Sequence, residues 1–437
     1  MNDSWKEVPF GKLAAPIRNA IVGGPFGSNL VSSDYVELGV PVIRGQNMAG
    51  RWVGGDFVFV NEAKAASLSG NLARPGDLVF TQRGTLGQVA IVPNGGHDRY
   101  LVSQSQMKAT VDPAQADVNF LYYFFSSKAQ QEWIRSNGIQ TGVPHTNLGI
   151  LKKHPVLLPP LPEQRAIATV LRALDDKIEQ NRRTGRALEG LARAMFKAWF
   201  VDFEPIKAKA AGQTSFPGMP PAAFAALPDR LTDSPLGPVP QGWETGTMGE
   251  IGLQRREQVL PGEVNGETPY VGLEHMPRRD LTLSTWGAAA SVTSSKFRFH
   301  RGDILFGKLR PYFHKVSPAP LDGVCSTDIV VLHPKRPEYA AWLLMLVSGD
   351  DFVAYADRSS AGTKMPRTNW KDMAAFPVAL PTLPVTAAYQ DQVGSMLDMI
   401  RVGIHESSKL SALRDYLLPQ LLNGRVRVQP SLAGAKA

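Results

Sequence analysis

The stretch that decides the predicted fold is residues 159–200, PPLPEQRAIATVLRALDDKIEQNRRTGRALEGLARAMFKAWF. No proline occurs between Pro162 and Pro205, and apolar residues recur with alternating spacings of four and three. This heptad pattern predicts one long helix with a seam that packs against a partner helix. At about 1.5 Å per residue, such a helix is roughly 55 Å long. Asn181 and Gly185 interrupt the apolar seam, where register control or tight packing is expected.

A second seam lies near the end of the chain. It runs through Val393, Leu397, Ile400 and Ile404, turns polar at Ser407, Ser411 and Arg414, and returns to apolar residues at Leu418 and Leu421. One heptad helix alone is typical of an ordinary core helix, but two in equivalent places favour antiparallel pairing with each other. The predicted helix-pairing residues are Ile167, Leu171, Leu174, Ile178, Leu188, Met195, Trp199, Val393, Leu397, Ile400, Ile404, Leu418 and Leu421.

An internal repeat places the two helices after two related globular parts. PVIRGQNM from Pro41 matches PYVGLEHM from Pro269, and GDLVF from Gly76 matches GDILF from Gly302. Further along, PHTN and HPVLLPPLP in the first copy match PRTN and FPVALPTLP in the second, in the same order. The offset drifts only from 228 to 222 residues. A repeat of this length indicates a duplicated domain pair rather than a solenoid.

Short apolar runs broken by Gly, Pro and Asn predict strands within each copy, with one or two helices among them. The predicted fold class is therefore mixed α/β, with two strand-rich globular domains joined by two long antiparallel coiled-coil helices and a pseudo-twofold internal repeat. The proline-rich stretch between the copies reads as an extended, semi-rigid linker. The predicted divisions are 1–155 and 243–378 for the globular domains, 156–204 and 379–437 for the helical segments, and 205–242 for the linker.

Composition excludes several classes of protein. The 437 residues carry a net charge of +8, with 43% hydrophobic and 20% charged residues, which is typical of a folded globular protein. The chain has one cysteine, Cys325, so no internal disulfide or cysteine metal cluster is expected, and a buried inert thiol is the simplest interpretation. No signal peptide or membrane-spanning stretch is recognisable, and we expect a cytoplasmic protein that does not contact a membrane.

Motifs for catalysis are absent from the sequence. It has no phosphate-binding G-x-x-x-x-G-K-[ST] loop, no dinucleotide-binding G-x-G-x-x-G turn and no G-x-S-x-G nucleophile motif. The histidines are scattered without the spacing of metal ligands on one element. The sequence therefore predicts neither catalytic residues nor a metal site, and it indicates recognition or scaffolding.

Several motifs resemble those of one family. They are GGPFGSNL at 23–30, GDLVFTQRGTLGQVAIV at 76–92, TGVPHTNLGILKKHPVLLPPLPEQ at 141–164, KAWFVDFEP at 197–205, LPDRLTDSPLGPVPQGWE at 227–244 and GDILFGKLRPYFHKV at 302–316. On these residues, and on the two-copy plan around them, the chain resembles the specificity subunit of a type I restriction-modification system. The resemblance covers nearly the whole chain.

The resemblance implies a non-catalytic subunit with two target recognition domains, each of which reads one half of a split, asymmetric site in double-stranded DNA. It implies two spacer helices on which two methyltransferase subunits dock, and further translocase and nuclease subunits that complete a restriction enzyme. S-adenosylmethionine, ATP and magnesium then belong to those partners, and this chain itself needs no cofactor. Copy two departs from the family's Pro-Leu-Pro-Glu-Gln signature at 381–387, PTLPVTA, with a short insertion before Gln390. That departure leaves the symmetry of the two docking sites open.

Base identity is read in the major groove by bidentate side chains, such as Arg on guanine and Gln or Asn on adenine. Polar residues in loops beside predicted strands are the candidates for DNA contact. In copy one these are Arg44, Gln46, Asn47, Gln82, Arg83 and His145, and in copy two Lys308, Arg310, Lys364 and Arg367. Gln82 and Lys308 occupy matching positions after the shared GD-strand motif, as expected for readers of different half-sites.

Two other functions remain open from the sequence. A coiled-coil scaffold with two protein-binding domains would share the same architecture, and DNA binding by the complex with its methyltransferase separates it from the first interpretation. A stand-alone nuclease or methyltransferase would require the catalytic motifs that the sequence lacks.

Overall fold

The computed structural model describes residues 5–139, 143–291, 293–362 and 364–428. It divides into two compact units: Met1–Asp176 with Leu410–Ala437, and Lys177–Lys409. Both units mix helices with small sheets, as the predicted fold class requires. Each unit also contains a stretch of both long helices, because the division crosses α5 (Leu161–Phe196) and α12 (Leu383–Leu422).

The first unit holds eleven strands among its described residues: β1 (Lys6–Pro9), β2 (Ile21–Gly23), β3 (Tyr35–Val36), β4 (Val40–Ile43), β5 (Val58–Val60), β6 (Leu72–Ala73), β7 (Leu78–Thr81), β8 (Val89–Ile91), β9 (Tyr100–Val102), β10 (Gln106–Ala109) and β11 (Pro155–Leu158). Its short helices are α1 (Glu62–Ser67), α2 (Val118–Ser126), α3 (Lys128–Ser136) and α4 (Leu148–Lys153). The strands form sheets ordered β1-β11, β2-β10-β7-β8 and β3-β5-β4-β9-β6.

The second unit holds the remaining described elements. Its strands are β12 (Leu231–Thr232), β13 (Val239–Pro240), β14 (Glu244–Thr247), β15 (Gly252–Arg255), β16 (Gln258–Val259), β17 (Pro269–Val271), β18 (Gly287–Ala288), β19 (Lys296–Phe299), β20 (Ile304–Gly307), β21 (Val316–Pro318), β22 (Gly323–Cys325), β23 (Ile329–Pro334) and β24 (Pro377–Leu380). Its short helices are α6 (Glu204–Ala210), α7 (Pro221–Ala225), α8 (Met248–Ile251), α9 (Ala340–Val347), α10 (Asp350–Arg358) and α11 (Trp370–Ala374).

The sheet topology confirms the repeat. The order β15-β23-β20-β21 in the second unit reproduces β2-β10-β7-β8 in the first. The five-stranded sheets share a parallel pair, β4 with β9 and β17 with β22, inside otherwise antiparallel pairings. The two-stranded sheet β14-β24 likewise repeats β1-β11. The predicted domain boundaries at 155/156 and 378/379 fall inside β11 and β24, and the division into recognition domains and helical segments stays a prediction.

The repeated Gly-Asp pair forms the same turn in both copies. Gly76 and Gly302 both have φ of +89°, a conformation that residues with a Cβ atom rarely adopt. Asp77 accepts a hydrogen bond from the Arg74 backbone at 2.9 Å, and Asp303 accepts one from His300 at 2.8 Å. The motif is therefore a structural turn that starts β7 and β20.

The glutamine of the Pro-Leu-Pro-Glu-Gln signature ties helix α5 to the globular part. Gln164 is fully buried, accepts a hydrogen bond from the Asp117 backbone at 2.9 Å and donates one to Pro159 O at 2.8 Å. In the second copy Gln390 accepts the corresponding bond from the Ala341 backbone at 2.7 Å. The insertion before Gln390 therefore moves this contact one helical turn along α12 without removing it.

Within the first unit, the start of α5 packs against the end of α12. Ile167 and Leu171 share one buried core with Leu421. Arg414 donates to Asp175 at 2.8 Å, and the Tyr123 hydroxyl donates to the same carboxylate at 2.7 Å. Arg414, one of the polar residues in the second seam, thus pairs the two helices through an ion pair with Asp175.

Within the second unit, the end of α5 packs against the start of α12. The Tyr389 hydroxyl donates to Ala192 O at 2.9 Å, and both residues lie in one core with Val393 and Trp199. Residues near the start of α5 therefore contact the end of α12, and residues near the end of α5 contact the start of α12. The predicted antiparallel pairing is confirmed.

The predicted seam interruptions are packing features of the second unit. Asn181 donates from Nδ2 to Glu406 Oε2 at 2.8 Å and to Ser407 Oγ at 3.2 Å. A Cβ atom at Gly185 would lie 4.0 Å from Ile400, so the helices approach closely there. Of the predicted pairing residues, those fully buried are Ile167, Leu171, Trp199, Val393, Ile400 and Leu421; the others are half-buried.

The proline-rich linker is folded, so its prediction as an extended connector was wrong. Its segments form α6, α7 and the hairpin of β12 and β13. Ile206 and Phe224 join the core of the second unit. Pro205 and Pro221 lie in the first turns of their helices, where a missing N–H has no cost. Burial of the apolar residues between the prolines thus stabilises short helices and a hairpin in this segment, although proline disfavours regular structure.

Two further sequence expectations concern Cys325 and membrane contact. Cys325 is fully buried in β22, and burial raises the pKa of its thiol to about 12, which keeps it protonated and inert. Among the described residues, no helix combines the length and apolar character needed to cross a membrane.

Gly185 offers a test of the helix pairing. Gly185→Ala is expected to raise the free energy of unfolding by up to about 1 kcal/mol, because a helix favours Ala and the added Cβ meets its nearest atom in Thr282 at 3.5 Å. Gly185→Leu is expected to lower it by about 1–3 kcal/mol through overpacking. Chemical denaturation of both variants checks this, and equal effects of Ala and Leu would contradict the close approach.

Candidate nucleic-acid interface

In the first unit, three predicted residues meet where β7 ends. The Gln82 backbone donates to Ser105 O at 2.7 Å, and its carbonyl accepts from Thr146 N at 2.9 Å. Arg83 forms an isolated antiparallel bridge with His145. The structure therefore brings Gln82, Arg83 and His145 together on one surface.

In the second unit, the same backbone frame recurs where β20 ends. The Lys308 backbone donates to Asp328 O at 2.9 Å, and its carbonyl accepts from Thr368 N at 3.1 Å. Arg367 bridges Leu309, as His145 bridges Arg83.

Arg310 joins the remaining predicted residues to this frame. Its backbone N–H donates to Pro366 O at 2.8 Å, and its guanidinium donates to the carbonyl of Lys364 at 3.4 Å. The four residues predicted in copy two, Lys308, Arg310, Lys364 and Arg367, therefore form one surface.

The two frames carry different side chains at matching positions. Gln82 in the first frame corresponds to Lys308 in the second, and His145 corresponds to Arg367. The residue whose carbonyl accepts the first hydrogen bond is Ser105 in one copy and Asp328 in the other. Asp328 also forms a 3.2 Å ion pair with Arg367. The backbone geometry is thus shared, while the donors and acceptors that it presents differ.

The predicted residues after β4 have separate roles. Asn47 is 1% exposed; it donates to the carbonyls of Gly54 and Asp56, each at 3.0 Å, and accepts from the Arg44 backbone at 3.0 Å. Asn47 therefore holds the loop, and its amide is not available to a base. Gln46 is exposed, with one 3.2 Å hydrogen bond from its amide to the Asp56 carbonyl, and Arg44 is half-buried, so both remain candidates for DNA contact.

The candidate surface has cations free of acidic neighbours. In the parts of the chain that the structure describes, no carboxylate oxygen lies within 4.0 Å of the charged nitrogens of Arg83, Lys308 or Arg310. Cations without such partners are suited to phosphate or base contacts. No group of three or more His, Cys, Asp or Glu among the described residues could hold a metal ion.

Sequence reasoning missed two exposed aromatic residues on these surfaces. Phe26 is 79% exposed and lines a cleft with Gln82. Tyr312 is 49% exposed on the loop that carries Arg310. The available signal in both cases was an aromatic residue directly after a proline in a loop, Phe26 after Pro25 and Tyr312 after Pro311.

The sequence model of the family described as type I restriction modification DNA specificity domain matches residues 38–189. The MjaIX type I restriction enzyme specificity subunit of Methanocaldococcus jannaschii is 24% identical over 367 residues, 81% of this chain and 78% of the relative. The chain is thus similar to type I restriction-modification specificity subunits, by a family model over part of it and by relatives over most of its length.

Another relative in this family is the HindI type I restriction enzyme specificity subunit of Haemophilus influenzae. It is 23% identical over 406 residues, which cover 81% of this chain and 87% of the relative. Among solved structures, the S subunit of a type I restriction-modification system from M. genitalium matches with a TM-score of 0.58 at 17% identity. The match covers 96% of this chain and 97% of that structure, and it supports the fold along the chain.

The different roles of Asn47 and Gln46 can be tested by stability. Asn47→Ala is expected to lower the free energy of unfolding by about 1–3 kcal/mol, because the Arg44 N–H and the Gly54 carbonyl lose their side-chain partner. Gln46→Ala is the matched control and should change it by less than about 0.5 kcal/mol. Chemical denaturation measures both, and an unchanged stability in Asn47→Ala would refute the structural role.

Proposed function

We propose that this chain is the DNA specificity subunit of a type I restriction-modification complex and that each unit reads one half of a bipartite site. The observation that carries the proposal is the repeated loop frame with different polar groups. A shared frame places each reader in the same way on DNA, and the changed side chains select different bases. The family match to a DNA specificity domain favours DNA over a protein as the ligand.

The side chains suit base reading in the major groove. Gln82 can pair its amide with adenine N6 and N7, while Lys308 and Arg310 can donate to guanine O6 and N7. The exposed Lys364 is suited to phosphates, which position the protein without reading sequence. Because several phosphates would be neutralised, the affinity of the assembled complex should fall steeply with salt concentration.

The paired helices are the proposed spacer between the two readers. Antiparallel contacts in both units support this role, and the hydrogen bonds of Asn181 to Glu406 and Ser407 add a polar constraint on the register of the pair. We further propose that two methyltransferase subunits dock on these helices and that restriction subunits join them. Methyl transfer from S-adenosylmethionine and ATP- and magnesium-dependent cleavage then belong to those partners, and this chain is non-catalytic.

Matched single substitutions test the assignment of one reader to each half-site. Gln82→Ala is expected to relax the methylated sequence at base pairs of one half only, and Lys308→Ala at base pairs of the other half only. Each loss should be about 10- to 100-fold in discrimination, as for one bidentate base contact. Mapping methylated adenines genome-wide in the source cells, with the chain deleted and replaced by each variant, provides the measurement.

Exposed residues beyond the opposite ends of the same sheets provide the controls. Gln115→Ala, after β10, and Lys335→Ala, after β23, should leave the methylated sequence unchanged. If Gln82→Ala and Lys308→Ala relaxed the same half, the two-reader proposal would be wrong. If deletion of the chain left the methylation pattern intact, its role as the specificity subunit would be wrong.

A further inference from the structure

Backbone strain is concentrated at one place in the second unit. Among the described residues, five non-glycine residues have positive φ, and three of them are Arg279 at 54°, Arg310 at 51° and His314 at 54°. The Arg279 backbone donates to His314 O at 3.0 Å, so the strained segments touch. Such conformations cost on the order of 1 kcal/mol or more each and are found where function requires a fixed geometry.

The strained loop presents an aromatic side chain to solvent. Arg310 and His314 flank a short 3-10 turn, Pro311–Phe313, at whose centre Tyr312 is 49% exposed. The Tyr312 and Phe313 ring centroids lie 4.7 Å apart at 66°, an edge-on contact. The half-exposed Tyr312 ring therefore packs edge-on against a second ring.

Two guanidinium groups lie over the Phe313 ring of this pair. The Arg278 guanidinium lies 4.0 Å from the centroid of the Phe313 ring, and that of Arg310 lies 5.9 Å from it. Stacked guanidinium groups keep their charge and several N–H donors for phosphates. On duplex DNA, such cations suit phosphates and an exposed aromatic ring suits apolar contact with a base in the major groove.

The base of the loop is anchored in the core. His314 is 5% exposed, and its Nε2 donates to Ser348 O at 2.8 Å. Burial lowers the pKa of His314, so the ring stays neutral near pH 7 and the anchor carries no charge. Lys315 adds a hydrogen bond from its ammonium group to the carbonyl of Leu273. His314 and Lys315 thus anchor the base of the loop that carries Tyr312.

We propose that Tyr312 contacts a nucleobase in the half-site read by the second unit, with its ring packed against the base. The inference rests on the proposed function and adds a residue to it. Tyr312 lies two residues from Arg310 in the loop that follows Lys308, so it belongs to the same surface. Because the Tyr312 ring already packs against Phe313 in a loop anchored at its base, ordering the ring on binding should cost little entropy. The matching loop of the first copy, residues 82–88, has no aromatic residue, so this loop supplies such a contact in the second unit only.

The test uses the full chain assembled with its methyltransferase subunits and duplexes that carry 2-aminopurine at each position of the half-site. Tyr312→Phe should bind as the unmodified chain does, because the ring is kept. Tyr312→Ala should weaken binding about 10- to 100-fold, the usual effect of losing one base–aromatic contact, and should abolish the fluorescence change at one position. Tyr312→Leu, which keeps apolar bulk without a ring, should also lose that change.

Leu260→Ala is the matched control, since Leu260 is 50% exposed in the same unit and lies away from this loop in sequence. It should leave both affinity and fluorescence unchanged. If Tyr312→Ala and Tyr312→Leu kept full affinity and every fluorescence change, while Lys308→Ala still weakened binding, the proposal for Tyr312 would be overturned and the proposed function would stand. A complex of the unmodified chain that bound no specific DNA would refute both.

Discussion

The antiparallel packing of α5 against α12 is the interaction on which both units depend. In the first unit, Ile167 and Leu171 of α5 share a core with Leu421 of α12. In the second unit, Ala192 and Val393 do the same from the opposite ends of the two helices. Each core therefore needs residues from distant parts of the chain. A globular part separated from either helix would expose apolar surface, so the helices belong to the cores as much as to the spacer.

Periodic features were predictable because they report burial directly. The heptad spacing predicted both long helices, and the ordered matches between the copies predicted their shared topology. The interruption at Gly185 predicted close packing, which the structure shows against Ile400. In each case the sequence signal and its structural cause lie in the same few residues.

Features that depend on distant partners were not predictable. The linker folds because Ile206 and Phe224 find a core supplied by other segments. Asn47 donates hydrogen bonds to the carbonyls of Gly54 and Asp56. No local sequence pattern distinguishes this buried residue from the exposed Gln46 beside it. The positive φ of Arg310 has no sequence signal either, because an arginine, unlike a glycine, does not favour that conformation.

In the proposed function, the two globular parts read DNA independently. The most direct measurement is to exchange residues 1–155 for the equivalent segment of a relative with another target and to map the methylated sequence in cells. The account predicts that one half of the site changes, while the other half and the number of base pairs between them stay the same. A change in both halves would contradict it.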